Sequence, residues 1–339
     1  MDINMPGVSR YIGDAADINA MSDREALGTA EGFRSCRFDS IKGNIFALKG
    51  SGNEELAAVV ESAWASLADR LAAGILLGLM GDHRLAATAP CMAEVPRAQV
   101  KIGTSPTEVG AICARHPDLG LKEEWLIKET PSFEINLEAF RIGKYPVTNI
   151  EYRRFLVENP RETPPTSWPF GYFPLERSNH PVYSVRPEAA DRYCRWLSEK
   201  TGRLFRLPTE FEWEYAAAGS TGLEYPWGDE FDPEAANTLE LGLFRSVAVG
   251  SFAKGASPFG VFDMAGTVEE YVSDCYMPYP GGEFIRDDLV SFLGDKYRVA
   301  RGGSFTRFRD MARCRRRHGG PLDRSFYVMG FRLAETITS

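Results

Sequence analysis

The 339-residue sequence predicts an α+β fold: a loop-rich domain of short strands and a few helices over residues 91–339, preceded by a small, partly helical region at 1–90. Three observations carry this. Helical periodicity occurs only in short stretches, each opened by a capping signal; brief alternating runs between them have strand character; and Gly and Pro turns punctuate the chain from Cys91 onward. No Gly-x-Gly-x-x-Gly follows a strand and no long-period repeat recurs, which excludes dinucleotide-binding, P-loop and solenoid architectures.

In chain order, Cys36 to Leu48 has the pattern of a hairpin turning at Gly43-Asn44. Asn53 as a cap, Glu54 and Glu55 in the first turn, and Leu56, Val60, Leu67, Leu71 and Ile75 at helical spacing predict one amphipathic helix over about 53–80, with a linker at 81–90. Val95-Pro96 and Val100 to Thr104 suggest an opening strand and turn, and Phe133 to Ile142 alternates as a half-buried strand. Thr148 and Glu151 form a capping box before Tyr152, Phe155 and Leu156. A second helix starts at Pro187 and carries Ala190, Cys194 and Leu197 on one face; a third opens with the capping box Thr209/Glu212.

The composition, 44% hydrophobic and 25% charged, is that of an ordinary globular protein. The first residues have no basic segment followed by an apolar core, and the longest apolar run, Leu71 to Met80, is about half a membrane span, so a cytoplasmic protein without a membrane partner is expected. Six cysteines and four histidines are scattered without metal-ligand spacing.

Charge is concentrated at one place. Between Arg301 and Arg332 nine arginines face two aspartates, about +7, on a chain of net charge −8, which leaves about −15 elsewhere. From Arg301 to Ala334 there is no Lys, Glu, Gln or Trp. A basic segment steers anions, but an acidic remainder and the lack of Lys disfavour nucleic acid.

Seven blocks occur in order: Tyr145-Pro-Val-Thr-Asn149, His180-Pro-Val182, Arg206-Leu-Pro-Thr-Glu-Phe-Glu-Trp-Glu-Tyr-Ala216, Tyr225-Pro-Trp-Gly-Asp229, Gly260-Val-Phe-Asp-Met-Ala-Gly-Thr-Val-Glu-Glu-Tyr271, Arg301-Gly-Gly-Ser-Phe305 and Gly330-Phe-Arg332. Over about residues 91–335 they resemble the signature blocks of the formylglycine-generating enzyme, or sulfatase-modifying factor, family. The resemblance implies a C-type-lectin-like fold, shared by copper oxidases, non-haem iron sulfoxide synthases and the variable proteins of diversity-generating retroelements, so fold alone does not decide function.

The departures from that family are specific. Its copper oxidases carry two cysteines shortly after the Gly-Gly-Ser block, whereas Phe305 to Arg313 contains none. Its iron enzymes carry a His-x-x-x-His helix, and the N-terminal region here offers only His83. Neither copper nor iron is therefore expected, and the expectation leans away from catalysis. The resemblance does imply a structural calcium held by Asp263 and Glu270 with the carbonyls of Gly266 and Val268, hard oxygen donors of the kind calcium takes. Asn237 and Glu240 would hold a second ion. The loop departs from the family pattern at Thr267, usually Asn, and at Glu269, usually Trp.

The resemblance also suggests Arg313, Arg317 and Arg332 as fold residues whose forks tie carboxylates and carbonyls. The remaining alphabet of the segment matches retroelement variable proteins, whose diversified codons never yield Lys, Glu, Gln, Met or Trp; Met311 and Met329 would then be fixed positions. A rigid frame presenting aromatic and Arg side chains has hot-spot composition. The expectation is a ligand-binding protein that meets a protein or anionic partner through segment 305–328, with Phe305, Thr306, Arg307, Phe308, Arg309, Arg315, Arg316, Ser325, Phe326 and Tyr327 as contact residues. The alternative is an oxygen-dependent, metal-using modifying enzyme with a non-standard site.

Overall fold

A computed structural model describes residues 41–337. It opens with three helices, α1 (Ile41–Leu48), α2 (Asn53–Val60) and α3 (Leu67–Met80). Two expectations change here. Ile41–Leu48 is helical, so Gly43-Asn44 is no hairpin turn: the Asn44 side chain donates to Asp69 on α3 at 2.7 Å; Cys36–Ser40 lie outside the described residues. The helix predicted over 53–80 is two, broken at residues 61–66. Ser66 caps α3 by accepting from the Asp69 N–H, while buried Arg70 donates to the carbonyls of Ser62 and Ala65 and stabilises the break. The periodicity survives because α2 and α3 fold back on each other, burying Leu56 and Val60 against Ala73 and Leu77.

α3 lies directly on the following domain. A Cβ on Gly74 would come 2.6 Å from Ala248 Cβ, and one on Gly78 2.6 Å from Asn179 Oδ1. Asn179 Nδ2 donates to the Gly74 carbonyl and Ser178 Oγ to that of Gly78. The expected linker at 81–90 is pinned too, since Arg84 binds Asp82, Glu61 and the Val249 carbonyl.

Among its described residues the domain has ten strands: β1 (Met92–Val95), β2 (Ala98–Ile102), β3 (Phe133–Leu137), β4 (Phe140–Gly143), β5 (Phe205–Arg206), β6 (Glu269–Cys275), β7 (Arg298–Arg301), β8 (His318–Gly320), β9 (Met329–Phe331) and β10 (Ala334–Thr336). They form sheets ordered β1-β4-β10-β5, β2-β3 and β8-β7-β6-β9. The run Phe133–Ile142 is thus two strands pairing with different partners. Antiparallel β10 sits between β4 and β5 and ties the end of the chain to the start of the domain, while β9 runs parallel to β6 with Glu269 opposite Met329.

Six helices complete it: α4 (Val109–Arg115), α5 (Glu123–Ile127), α6 (Asn149–Glu158), α7 (Pro187–Thr201), α8 (Glu210–Ala218) and α9 (Asp288–Leu293). The capping boxes form as read: Glu151 accepts from the Thr148 N–H at 2.9 Å and Glu212 from the Thr209 N–H at 2.8 Å. α7 begins with Pro187 and ends at Gly202 with φ 69°, a left-handed turn that glycine makes without strain. α6 and α7 bury Tyr152, Phe155, Tyr193 and Trp196 against Phe331 of β9; α8 buries Trp213 among Val261, Met264, Val272 and Val299.

So little regular structure leaves many loops to be held, and buried arginines hold them. Arg301 binds Glu210 and Glu214 of α8 and the carbonyls of Cys314 and Arg315. Arg317 forks onto Glu210 at 2.7 and 2.8 Å and donates to the carbonyls of Lys128 and Met277. Arg313 meets Glu129 and Glu224. Arg332 takes Glu270 and the carbonyls of Gly143 and Phe262. A planar fork with five donors in fixed directions satisfies more acceptors at once than the three donors of a Lys ammonium.

Candidate functional site

The local charge of segment 301–332 is largely spent inside the protein. Of the four arginines expected to face outward, Arg316 is buried, donating to the carbonyls of Trp125 and Arg317 beside Asp310. Arg309 binds Asp118 and Glu240, and Arg315 binds Glu224 and the Gly222 carbonyl. Phe305 is buried as well, packed with Tyr183, Val268 and Val328. These residues hold the segment in place and do not form a basic surface. Apart from Asp310 beside Arg316, the acids that neutralise them come from distant parts of the sequence, which is why composition alone showed an unbalanced patch.

What does reach the surface is narrower. Thr306, Arg307, Phe308, Ser325 and Phe326 are half-buried, as are the tied-down Arg309 and Arg315, and Tyr327 is 45% exposed. These lie in two runs some twenty residues apart in the chain, and one contact joins them: Phe305 and Tyr327 meet edge to face at 6.4 Å, both against Tyr183 at 5.9 and 6.2 Å. The Tyr183 carbonyl accepts from Ser167 Oγ, anchoring a neighbouring loop that exposes Phe170 and Tyr172 fully or nearly so. Phe170 is held there at φ 55°, a left-handed backbone rare for an aromatic residue.

Between the two runs sits a group that sequence reading overlooked. Glu269, at the start of β6, is buried; its Oε1 accepts from Arg307 Nε at 3.0 Å and its Oε2 from His318 Nδ1 on β8. Burial by itself would lift the Glu269 carboxyl, but His318 and Arg307 outweigh burial and hold it down at about 2. The signal was present in the sequence: a Glu in place of the usual Trp, and strand alternation that sends Glu269 and Glu270 to opposite faces of β6.

The residues read as calcium ligands do not fit that ion. Glu270 gives both oxygens to Arg332 and one also to Trp213 Nε1 at 2.7 Å, so a cation there would face a guanidinium. The Gly266 carbonyl accepts from the Val268 N–H. Asp263 Oδ2 accepts from the Gly250 N–H while Oδ1 has no partner, and burial lifts its carboxyl to about 6. Glu240 is balanced by Arg309, leaving its Oε2, Asn237 Oδ1 and Thr238 Oγ1 as unpaired side-chain oxygens, fewer than the roughly six to eight that calcium takes. Among the described residues no three His, Cys, Asp or Glu side chains gather as a metal site. No described helix is long and apolar enough to cross a membrane.

Residues 86–337 match the sulfatase-modifying factor enzyme 1-like domain. Hercynine oxygenase of Mycolicibacterium thermoresistibile is 32% identical over 253 residues, covering 64% of this chain and 55% of the relative, so the chain spans about half the length of that protein. Among solved structures, PvdO from Pseudomonas aeruginosa superposes with a TM-score of 0.58 at 24% identity, over 74% of this chain and 96% of that one. Treponema denticola variable protein 1 gives 0.53 at 20% identity, over 72% and 94%. The last two are likenesses of fold. With the domain match running from the end of the helical region to the last strand, the chain belongs to the sulfatase-modifying factor enzyme 1-like domain family.

Proposed function

We propose that the chain is a ligand-binding member of this family, of the retroelement variable type, recognising a partner through the exposed part of segment 305–328. One observation carries the reading: the two surface runs, 306–308 and 325–327, converge through the Phe305–Tyr327 contact on a frame of buried Arg–Glu pairs such as Arg317–Glu210 and Arg332–Glu270. Side chains at these positions, apart from Arg307 with its bond to Glu269, change without disturbing what holds the loops, as a diversified surface requires. Aromatic and Arg side chains on a rigid support are also the composition that anchors protein interfaces. The sequence surrounding the gene tests this. A near-repeat of the region encoding Arg301 to Leu333 and a neighbouring reverse transcriptase support it, and the absence of both removes it.

The 32% identity to hercynine oxygenase favours a second reading, an oxygen-dependent modifying enzyme with a non-standard metal site. Protein purified without chelators would then contain about one equivalent of copper or iron, by analogy with metal enzymes that need a bound ion for oxygen chemistry. Metal-free protein speaks against it.

A further inference from the structure

The Glu269 cluster indicates what kind of group the exposed face takes. A carboxylate only accepts hydrogen bonds, so the proton between Glu269 and His318 belongs to Nδ1 of the ring, and Nε2 presents a lone pair. Among the described residues neither His318 Nε2 nor the two Nη atoms of Arg307 has a hydrogen-bond partner. The two side chains are 17% and 32% exposed, so these atoms are reachable. Resting on opposite oxygens of one buried carboxylate, they are neighbours whose orientation is fixed before any ligand arrives. The face therefore offers two adjacent donors beside one acceptor.

We propose that Arg307 and His318, oriented by Glu269, bind an amide group of a protein partner, its carbonyl oxygen on the Arg307 guanidinium and its N–H on His318 Nε2. The assignment rests on the recognition reading above and names the chemistry of that surface. A carboxylate or phosphate fits less well, because its oxygens would meet the Nε2 lone pair and because Glu269 already balances the Arg307 charge. Burial lowers the His318 ring below its ordinary value more than Glu269 raises it, which keeps the ring neutral at neutral pH. Tyr327, exposed beside Phe305, and Phe326, packed near Gly320 of the same strand as His318, supply apolar surface for the group that carries the amide.

The test uses the full chain with ¹⁵N-labelled histidine, the His318 Nε2 resonance being assigned by its loss in His318→Gln. Two isosteric probes are titrated: 3-phenylpropanamide and 3-phenylpropanoate. The amide is expected to shift that resonance and to saturate at about tenfold lower concentration than the acid, the discrimination a single buried hydrogen-bond mismatch gives. Glu269→Gln, which no longer dictates the ring tautomer, is expected to erase the preference. Arg307→Ala, with the melting temperature checked in parallel, is expected to weaken amide binding while the His318 resonance keeps its position in the free protein. Equal shifts, preference for the acid, or no shift with either probe overturns the proposal. Amide preference in a chain whose gene has no neighbouring retroelement keeps the site and removes only the variable-protein reading.

Discussion

Arg332 closes both carboxylate oxygens of Glu270, with Nε on one and Nη2 on the other at 2.7 Å, at a point where neither side chain touches water. The pair joins β6 to the turn between β9 and β10, and through the Gly143 and Phe262 carbonyls it reaches β4 and the loop before β6. Removing the arginine leaves a buried, unpaired carboxylate. Arg332→Ala is therefore expected to cost about 3–5 kcal/mol, read from denaturant unfolding. The same pairing predicts that calcium and EGTA leave the melting temperature of the wild-type chain unchanged; a rise of several degrees with calcium would mean that the oxygens are not committed as described.

The arginines divide into frame and face, and two substitutions separate the classes. Arg317→Ala deletes a buried fork on Glu210 together with two carbonyl contacts, and is expected to cost about 3–5 kcal/mol. Arg307→Ala removes one bond from a side chain a third exposed, and Glu269 keeps its bond to His318, so the expected cost is smaller, about 1–3 kcal/mol. Equal losses in parallel melts would contradict the division.

This division marks the limit of what the sequence revealed. The helices opened by Thr148/Glu151, Pro187 and Thr209/Glu212 were legible because caps and periodicity are local. The family blocks made the fold legible and the roles of Arg313, Arg317 and Arg332 with it. The break at residues 61–66 was hidden because α2 and α3 continue the same apolar spacing on either side of a turn that Arg70 stabilises from within. The fate of Arg309, Arg315 and Arg316 was hidden because their partners Asp118, Glu240, Glu224 and the Trp125 carbonyl lie about 70 to 190 residues away, and pairing over such separations leaves no local pattern. Glu269 and His318 were missed for the same reason, being joined only by the β6-β7-β8 arrangement.

Glu151 gives the stability a pH dependence. Burial lifts its carboxyl from 4.5 to about 7, against the opposing hydrogen bonds from Thr148. A group raised on folding contributes fully below the unfolded value and loses that contribution as pH rises through the folded one. Between about pH 5 and pH 8 the wild-type chain is expected to lose about 2.5 kcal/mol relative to Glu151→Gln, which carries no ionisable group there. Paired denaturation curves at the two pH values measure this difference directly, and a gap that stays constant with pH contradicts it.

The central claim, a recognition surface displayed on an Arg–Glu frame, is tested most directly by sequencing this locus across many isolates of the source population. The account predicts replacements concentrated at Thr306, Phe308, Ser325, Phe326 and Tyr327, with Arg301, Phe305, Arg307, Arg313, Arg316, Arg317 and Arg332 unchanged. Replacements spread evenly over the segment, or an unvarying surface beside a varying frame, would contradict it.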